Sequence, residues 1–249
     1  MKKVWFITGS SKGLGKNLVE AVLLKGDYVV ATARNPQQLK ELTEQYPEQL
    51  LPLELDVQNK EQIYATVEEA VSHFGKIDVL VNNAGFGITG AAEAFTNEQV
   101  RNQLEVNLYA PIEVTRAVLP YMRKQRSGNI LQISSIGGRV GNAGLSIYQA
   151  AKFGLVGFSE SLSKEIAPLG IKVTCIQPGG FRTEWAGSSM SFAKDIEGYE
   201  ATVGGVKQHL TSGKFLPMGD PVKAAKVMID VVENENPPLH LVLGSEAAA

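Results

Sequence analysis

Tyr148 and Lys152 stand four positions apart in a stretch with helical periodicity, so a phenol and an ammonium share one helix face. Ser134-Ser135 closes an apolar run, at the carboxyl edge where open α/β sheets gather reactive groups. A free phenol titrates at ~10 and is a poor base at neutral pH. Lowering that value by ~3 units takes roughly 4 kcal/mol of preferential phenolate stabilisation. A neighbouring positive charge in a partly dry site is the physical means of supplying it. Ser135 does not read as a hydrolytic nucleophile, because His73, His209 and His240 all lie away from it and from every other motif. The three histidines are scattered without metal-ligand spacing, and no metal is expected.

A second group of residues suits a phosphate-bearing ligand. Thr8-Gly9-Ser10-Ser11-Lys12-Gly13-Leu14-Gly15 falls between an apolar run and a helical stretch. Glycines there let the backbone turn tightly and approach a pyrophosphate, and the helix start adds N–H donors and a positive dipole end. The spacing differs from G-x-G-x-x-G. Sites for NAD carry an acidic residue about twenty positions later to hold the ribose hydroxyls. Here Ala33 and then Arg34 occupy that region. A carboxylate would repel a 2′-phosphate, whereas Arg34 suits bidentate pairing with one, and Lys12 adds a second cation. The expected preference is NADP(H) over NAD(H).

These residues need a scaffold, and the chain alternates short apolar runs with amphipathic stretches. Strands are expected at Val4–Ile7, Tyr28–Ala33, Leu50–Leu55, Val79–Val81, Asn129–Ser134, Lys172–Gln177 and His240–Leu243. Helices are expected at Gly13–Lys25, Pro36–Gln45, Lys60–Phe74, Asn97–Arg126 with a kink at Pro111, Ser146–Ala167 and Pro221–Glu233. Continuous β-branched strands separated by helices predict a parallel sheet covered on both faces. The fold class is therefore α/β, a Rossmann-type doubly wound sheet in three α/β/α layers, forming one domain over residues 1–249. Residues 181–219 are polar and Gly-rich without clear periodicity, and residues 180–218 are expected to form a substrate lid.

The ordered set of motifs resembles the short-chain dehydrogenase/reductase (SDR) family over essentially the whole chain. The matching positions are Thr8-Gly9-x-x-x-Gly13-x-Gly15, Asp56 after the third strand, Asn82-Asn83-Ala84-Gly85, Asn107, Ser135, Tyr148-x-x-x-Lys152, and Pro178-Gly179 followed by Thr183. The resemblance implies carbonyl–alcohol interconversion with Tyr148 as general acid or base, and Ser135 hydrogen-bonded to the substrate oxygen. It implies that Lys152 holds the nicotinamide ribose and lowers the tyrosine pKa, and that Asn107 organises a proton-relay water. It also implies cofactor contacts at Gly9, Ser11, Lys12, Gly13, Leu14, Gly15, Arg34, Asp56, Val57, Asn83, Ala84, Gly85, Pro178, Gly179 and Thr183, besides Asn107, Tyr148 and Lys152. Enoyl reductases space the tyrosine and lysine more widely, and the extended branch carries a different glycine spacing, so both are disfavoured. A homodimer or homotetramer through the two long helices is expected from the same resemblance.

Composition sets the remaining bounds. With 249 residues, a net charge of −2 and one cysteine, nothing points to nucleic acid, a membrane or a disulfide framework, and a reducing cytoplasm is expected. No apolar run approaches the ~20 residues a spanning helix needs. The apolar start is too short for a signal peptide and runs into the Gly-rich turn. The end at Glu246-Ala247-Ala248-Ala249 reads as a shortened or altered C-terminus, since similar proteins can carry a further helix. Cys175 reads as a core thiol and Asp27 as a turn residue. Asp56 and Asn107 each have a structural alternative, as caps, and Asn83 has one as the support of its own turn. Phe86, Ile136, Trp185, Met190 and Phe192 suit an apolar ketone or aldehyde more than a sugar phosphate, and Trp185 and Met190 read equally well as packing residues. Arg139 and Arg182 have no assigned role. The leading expectation is an NADP-dependent carbonyl reductase or alcohol dehydrogenase. The alternatives are an NAD-dependent alcohol dehydrogenase and a catalytically idle cofactor-binding regulator.

Overall fold

The computed structural model describes residues 2–183, 190–212 and 217–244. Seven strands form one parallel sheet: β1 (Val4–Thr8), β2 (Tyr28–Ala33), β3 (Leu50–Glu54), β4 (Val79–Asn82), β6 (Gly128–Ile133), β7 (Ile171–Pro178) and β9 (His240–Leu243). Their spatial order is β3-β2-β1-β4-β6-β7-β9, so the direction of winding reverses between β1 and β4. In doubly wound sheets that reversal opens a crevice at the strands' carboxyl ends.

Side-chain alternation explains why the strands read as unbroken apolar runs. Along β1, Trp5 and Ile7 pack on one face with α1 (Gly13–Lys25) and α8 (Pro221–Glu233). Val4 and Phe6 pack on the other, against α3 (Lys60–Phe74), α5 (Ala110–Gln125) and α6 (Ser146–Ile166). Both faces are buried, so apolar side chains dominate along the strands, and the buried polar ones, such as Thr8 and Gln132, are hydrogen-bonded. Helix ends follow their local chemistry. Asn59 caps α3 by accepting from the Gln62 amide, and Asp220 caps α8 just ahead of Pro221. Gly26 and Gly75 close α1 and α3 in the left-handed conformation.

The seven expected sheet strands match to within one residue at each end. Four details differ from the sequence-based expectation. The single long helix from Asn97 is interrupted: α4 (Asn97–Leu104) passes through a five-residue π-helical turn, Glu105–Tyr109, into α5. The Ala110 amide reaches back to the Glu105 carbonyl, and Pro111 has no N–H to offer the Asn107 carbonyl four residues earlier. The stretch from Pro36 begins as one 3₁₀ turn, Pro36–Leu39, before the short α2 (Lys40–Gln45). Two three-residue strands, β5 (Gly87–Thr89) and β8 (Met190–Phe192), form a separate parallel pair. The aperiodic region also holds a π-helical turn, Glu200–Gly204, and α7 (Gly205–Thr211).

Candidate active site

A cleft of about 590 Å³ opens at the carboxyl edge of the sheet, beside the reversal between β1 and β4. Its floor at one end is the turn from β1 into α1. Gly9 adopts φ +66°, and a Cβ there would come within 2.8 Å of the Ala84 Cα. Gly13 is also left-handed, at φ +57°. A Cβ on Gly15 would overlap the Gly9 carbonyl oxygen, so Gly9 and Gly15 are required by backbone contact and Gly13 by its backbone conformation. Asn83 secures this turn: its side-chain amide donates to the carbonyls of Thr8 (2.9 Å) and Gly9 (3.0 Å). The Thr8 hydroxyl accepts in return from the Asn83 and Ala84 amides, each at 3.0 Å.

The first turn of α1 faces the cleft through Gly13 and Leu14, and no side chain caps it. Ser11, Lys12 and Arg34 line the same end. Lys12 and Arg34 are exposed, and neither forms an ion pair with a described residue. Asp56 and Val57 form the adjoining wall. The Asp56 carboxylate also accepts from the Gln58 amide at 3.0 Å, so it stabilises its own turn while bordering the cleft.

At the other end lie Ser135, Tyr148 and Lys152, brought together from the end of β6 and the first two turns of α6. A hydrogen bond joins Tyr148 to Ser135, and the Ser135 hydroxyl accepts from the Gly137 amide at 3.0 Å. The Lys152 ammonium donates to the Ile133 carbonyl at 2.8 Å and sits 5.7 Å from the centroid of the Tyr148 ring. Both side chains are buried. Burial pushes the phenol up to about 12, with the Ser135 bond pulling the other way, and burial pushes the ammonium down to about 8. In the protein alone, burial therefore favours the protonated phenol.

Asn107 is buried within the π-helical turn and bridges two elements. Its amide donates to the carbonyls of Phe86 (2.9 Å) and Gln103 (3.0 Å) and accepts from the Phe86 amide at 3.3 Å. A Cβ on Gly85 would approach the Asn107 oxygen to 2.8 Å, so the Asn82–Gly85 turn lies directly against it. Pro178, Gly179 and Thr183 line the far side, where the Gly179 amide donates to the Leu243 carbonyl at 2.9 Å.

Every candidate site residue named from the sequence borders this cleft except Gly15, which lies beneath the turn it packs. Phe86, Ile136 and Met190 also line it, whereas Phe192 does not, and Trp185 lies outside the described residues. Arg182 is paired with Asp220 at 3.3 Å, and Arg139 reaches the Gln177 side chain at 3.4 Å. Cys175 is fully buried, and burial raises its thiol to about 11. No group of three potential metal ligands occurs among the described residues. Nor is any described helix long and apolar enough to cross a membrane. Sequence reasoning missed Gln149, a buried cleft residue whose partners are backbone atoms that no motif reveals.

The glycine-lined approach, the uncapped helix start and the two cations that form no ion pair with a described residue fit a dinucleotide carrying phosphate. Comparison with known proteins agrees with that class of site. Residues 3–193 match the family described as short chain dehydrogenase. Oxidoreductase BOA17 of Botryotinia fuckeliana (strain B05.10) is 45% identical over 248 residues, covering 99% of this chain and 90% of that protein. The crystal structure of a short-chain dehydrogenase from Streptomyces avermitilis superposes with a TM-score of 0.94 at 38% identity, covering 100% of this chain and 90% of that one. The structure of ElxO with NADP bound gives a TM-score of 0.83 at 25% identity, covering 100% and 99% of the two chains. By fold, motif order and sequence, the chain belongs to the short-chain dehydrogenase family and is an oxidoreductase of that family.

Proposed function

We propose that this oxidoreductase is an NADP(H)-dependent carbonyl reductase for apolar ketones or aldehydes, with Tyr148 as its general acid. The observation that carries the reading is the Ser135–Tyr148–Lys152 group at the carboxyl edge of β6, with Tyr148 and Lys152 buried, in one cleft with Lys12 and Arg34. Gly9, Ser11, Gly13 and Leu14 would hold the pyrophosphate, and Arg34 with Lys12 the 2′-phosphate. Asp56 and Val57 would lie against the adenine, and Ala84 and Gly85 against the adenosine ribose. Gly15 and the Asn83 side chain support that turn from beneath. Pro178, Gly179 and Thr183 would hold the carboxamide end. The cofactor supplies the hydride.

The side chains of this protein do the rest. Ser135 orients the carbonyl oxygen, and Tyr148, kept protonated by burial, gives it a proton. Lys152 then stabilises the phenolate that remains and, with the Asn107 turn, provides the route by which the proton is replaced. The wall formed by Phe86, Ile136, Leu145 and Met190 favours an apolar substrate. The protein is taken as cytoplasmic and homo-oligomeric.

Steady-state oxidation of NADPH and NADH, in parallel, against a panel of apolar ketones, apolar aldehydes and sugar phosphates tests this directly. The expected result is turnover of the apolar compounds with NADPH preferred, and loss of that preference by about tenfold or more in Arg34→Asp, as one charge-assisted contact is removed. Turnover confined to sugar phosphates, or a preference for NADH, would overturn it.

A further inference from the structure

We propose that Gln149 is a specificity-determining positioning residue, which fixes one wall of the substrate cleft relative to Tyr148. This rests on the carbonyl reductase reading of the same site. Gln149 is the residue after Tyr148 on α6 and is buried, and it borders the cleft. Both ends of its side-chain amide are engaged. The nitrogen donates to the Val140 carbonyl at 2.9 Å, and the oxygen accepts from the Asn142 amide at 2.8 Å. The two bonds hold one short loop, between the Ser135 turn and the start of α6, by atoms two residues apart.

Backbone bonds hold the loop's two ends, from the Val140 amide to the Ile136 carbonyl at 3.2 Å and from the Leu145 amide to the Asn142 carbonyl at 3.4 Å, while the stretch between them lies open to solvent. Val140 is 55% exposed, and Gly141, Asn142 and Ala143 are exposed as well. A segment that buries so little apolar surface opens easily unless hydrogen bonds restrain it. Yet the loop leads into Asn142 and Leu145, which line the cleft. Its last residue before Leu145, Gly144, accepts from the Gly90 amide at 2.9 Å, just beyond β5, and β5 pairs with β8, where Met190 lines the opposite wall. The buried Gln149 amide, together with the Gly144–Gly90 bond at the loop's far end, thus sets the loop's place with respect to the proton donor one residue away. Such a clamp controls how a bulky substrate presents its carbonyl, and a displacement of about 1 Å there costs about a hundredfold in rate. A small aldehyde makes few contacts with this wall and is indifferent to it.

The test compares Gln149→Met, which keeps the length and burial but removes both hydrogen bonds, with the wild type. Amide hydrogen exchange is followed by mass spectrometry on the protein alone, and kinetics with NADPH on one bulky apolar ketone and one small aldehyde. The expected result is faster exchange confined to residues 139–145 with α6 unchanged. kcat/KM for the bulky ketone should fall about tenfold or more, and kcat/KM for the small aldehyde should stay within about twofold. Gln149→Glu, which turns a carboxylate oxygen toward the Val140 carbonyl in place of the donor, should loosen the loop at least as much. Unchanged exchange in the loop overturns the proposal, as does an equal loss with both substrates or a loss of NADPH affinity. If the wild type turns over neither substrate, the carbonyl reductase reading fails, while hydrogen exchange still decides whether Gln149 holds the loop.

Discussion

At the scale of single residues, the direction of two pKa shifts sets the expected pH behaviour. Lys152 is pushed down to about 8 by burial, and Tyr148 up to about 12. In reduction the active form has the phenol protonated and the ammonium charged. kcat/KM for a carbonyl, which reports the free enzyme's groups, should be level through neutrality and fall as pH rises past about 8, where Lys152 loses its proton. A pH–rate profile that instead rises above pH 8 would assign the protonations the other way. The identities of these residues were legible in the sequence, because a four-residue spacing on a helix and a serine at a strand end are properties of one dimension. Their electrostatics were not. The spacing of Tyr148 and Lys152 leaves open how deeply both are buried and that the Lys152 ammonium spends a bond on the Ile133 carbonyl. Asn83 shows the same limit, since its side chain is committed to two carbonyls of the turn it faces, 74 and 75 positions away.

At the scale of elements, the glycine turn and the π-helical turn place the site. Gly15 touches no ligand-facing surface, yet an added methyl there meets the Gly9 carbonyl and the Asn83 amide. Gly15→Ala should therefore destabilise the fold by about 1–3 kcal/mol through overpacking and weaken cofactor binding by distorting the turn. Calorimetry and a cofactor titration would check this, and an unchanged melting temperature would mean that α1 shifts freely. The long strands were legible because burial on both faces leaves a continuous apolar run. The pair β5 and β8 was not, since three residues show no period and their pairing joins Gly87 to Met190 across 103 positions of sequence. Pro111 announced an irregularity in the helix. It did not announce a π-helical turn, which also depends on how Asn107 is held by Phe86.

At the scale of the whole molecule, Asp27 ties the edge of the sheet opposite the cleft. It is 4% exposed and is more than the turn residue its Lys25-Gly26-Asp27 context suggested. It accepts from the Lys3 amide at 3.0 Å, the Trp5 indole at 3.2 Å and the Lys25 ammonium at 2.9 Å, and Lys25 also reaches Glu233 of α8. Burial alone would raise its carboxyl, but the Lys25, Lys3 and Trp5 contacts outweigh that and hold it below its ordinary value. A depressed folded pKa gives stability that is complete above the ordinary value of 3.8 and is lost as pH falls through the folded value. Asp27→Asn should cost roughly 1–3 kcal/mol at neutral pH, and its deficit relative to the wild type should shrink as pH drops below 3.8. Denaturation at pH 7 and pH 3 would show it, and a deficit that does not change with pH would remove the charge from the account.

The proton donor is the centre of the account, and Tyr148→Phe isolates it, because the change removes one hydroxyl and keeps the ring in its buried place. Turnover of an apolar ketone and NADPH binding should be measured on the same preparation. The expected result is a fall in kcat of about 10²–10⁴-fold, the usual contribution of a positioned acid, with NADPH affinity within about twofold of the wild type. Turnover that survives the substitution would contradict the assignment of Tyr148 and move the acid to another group of the cleft.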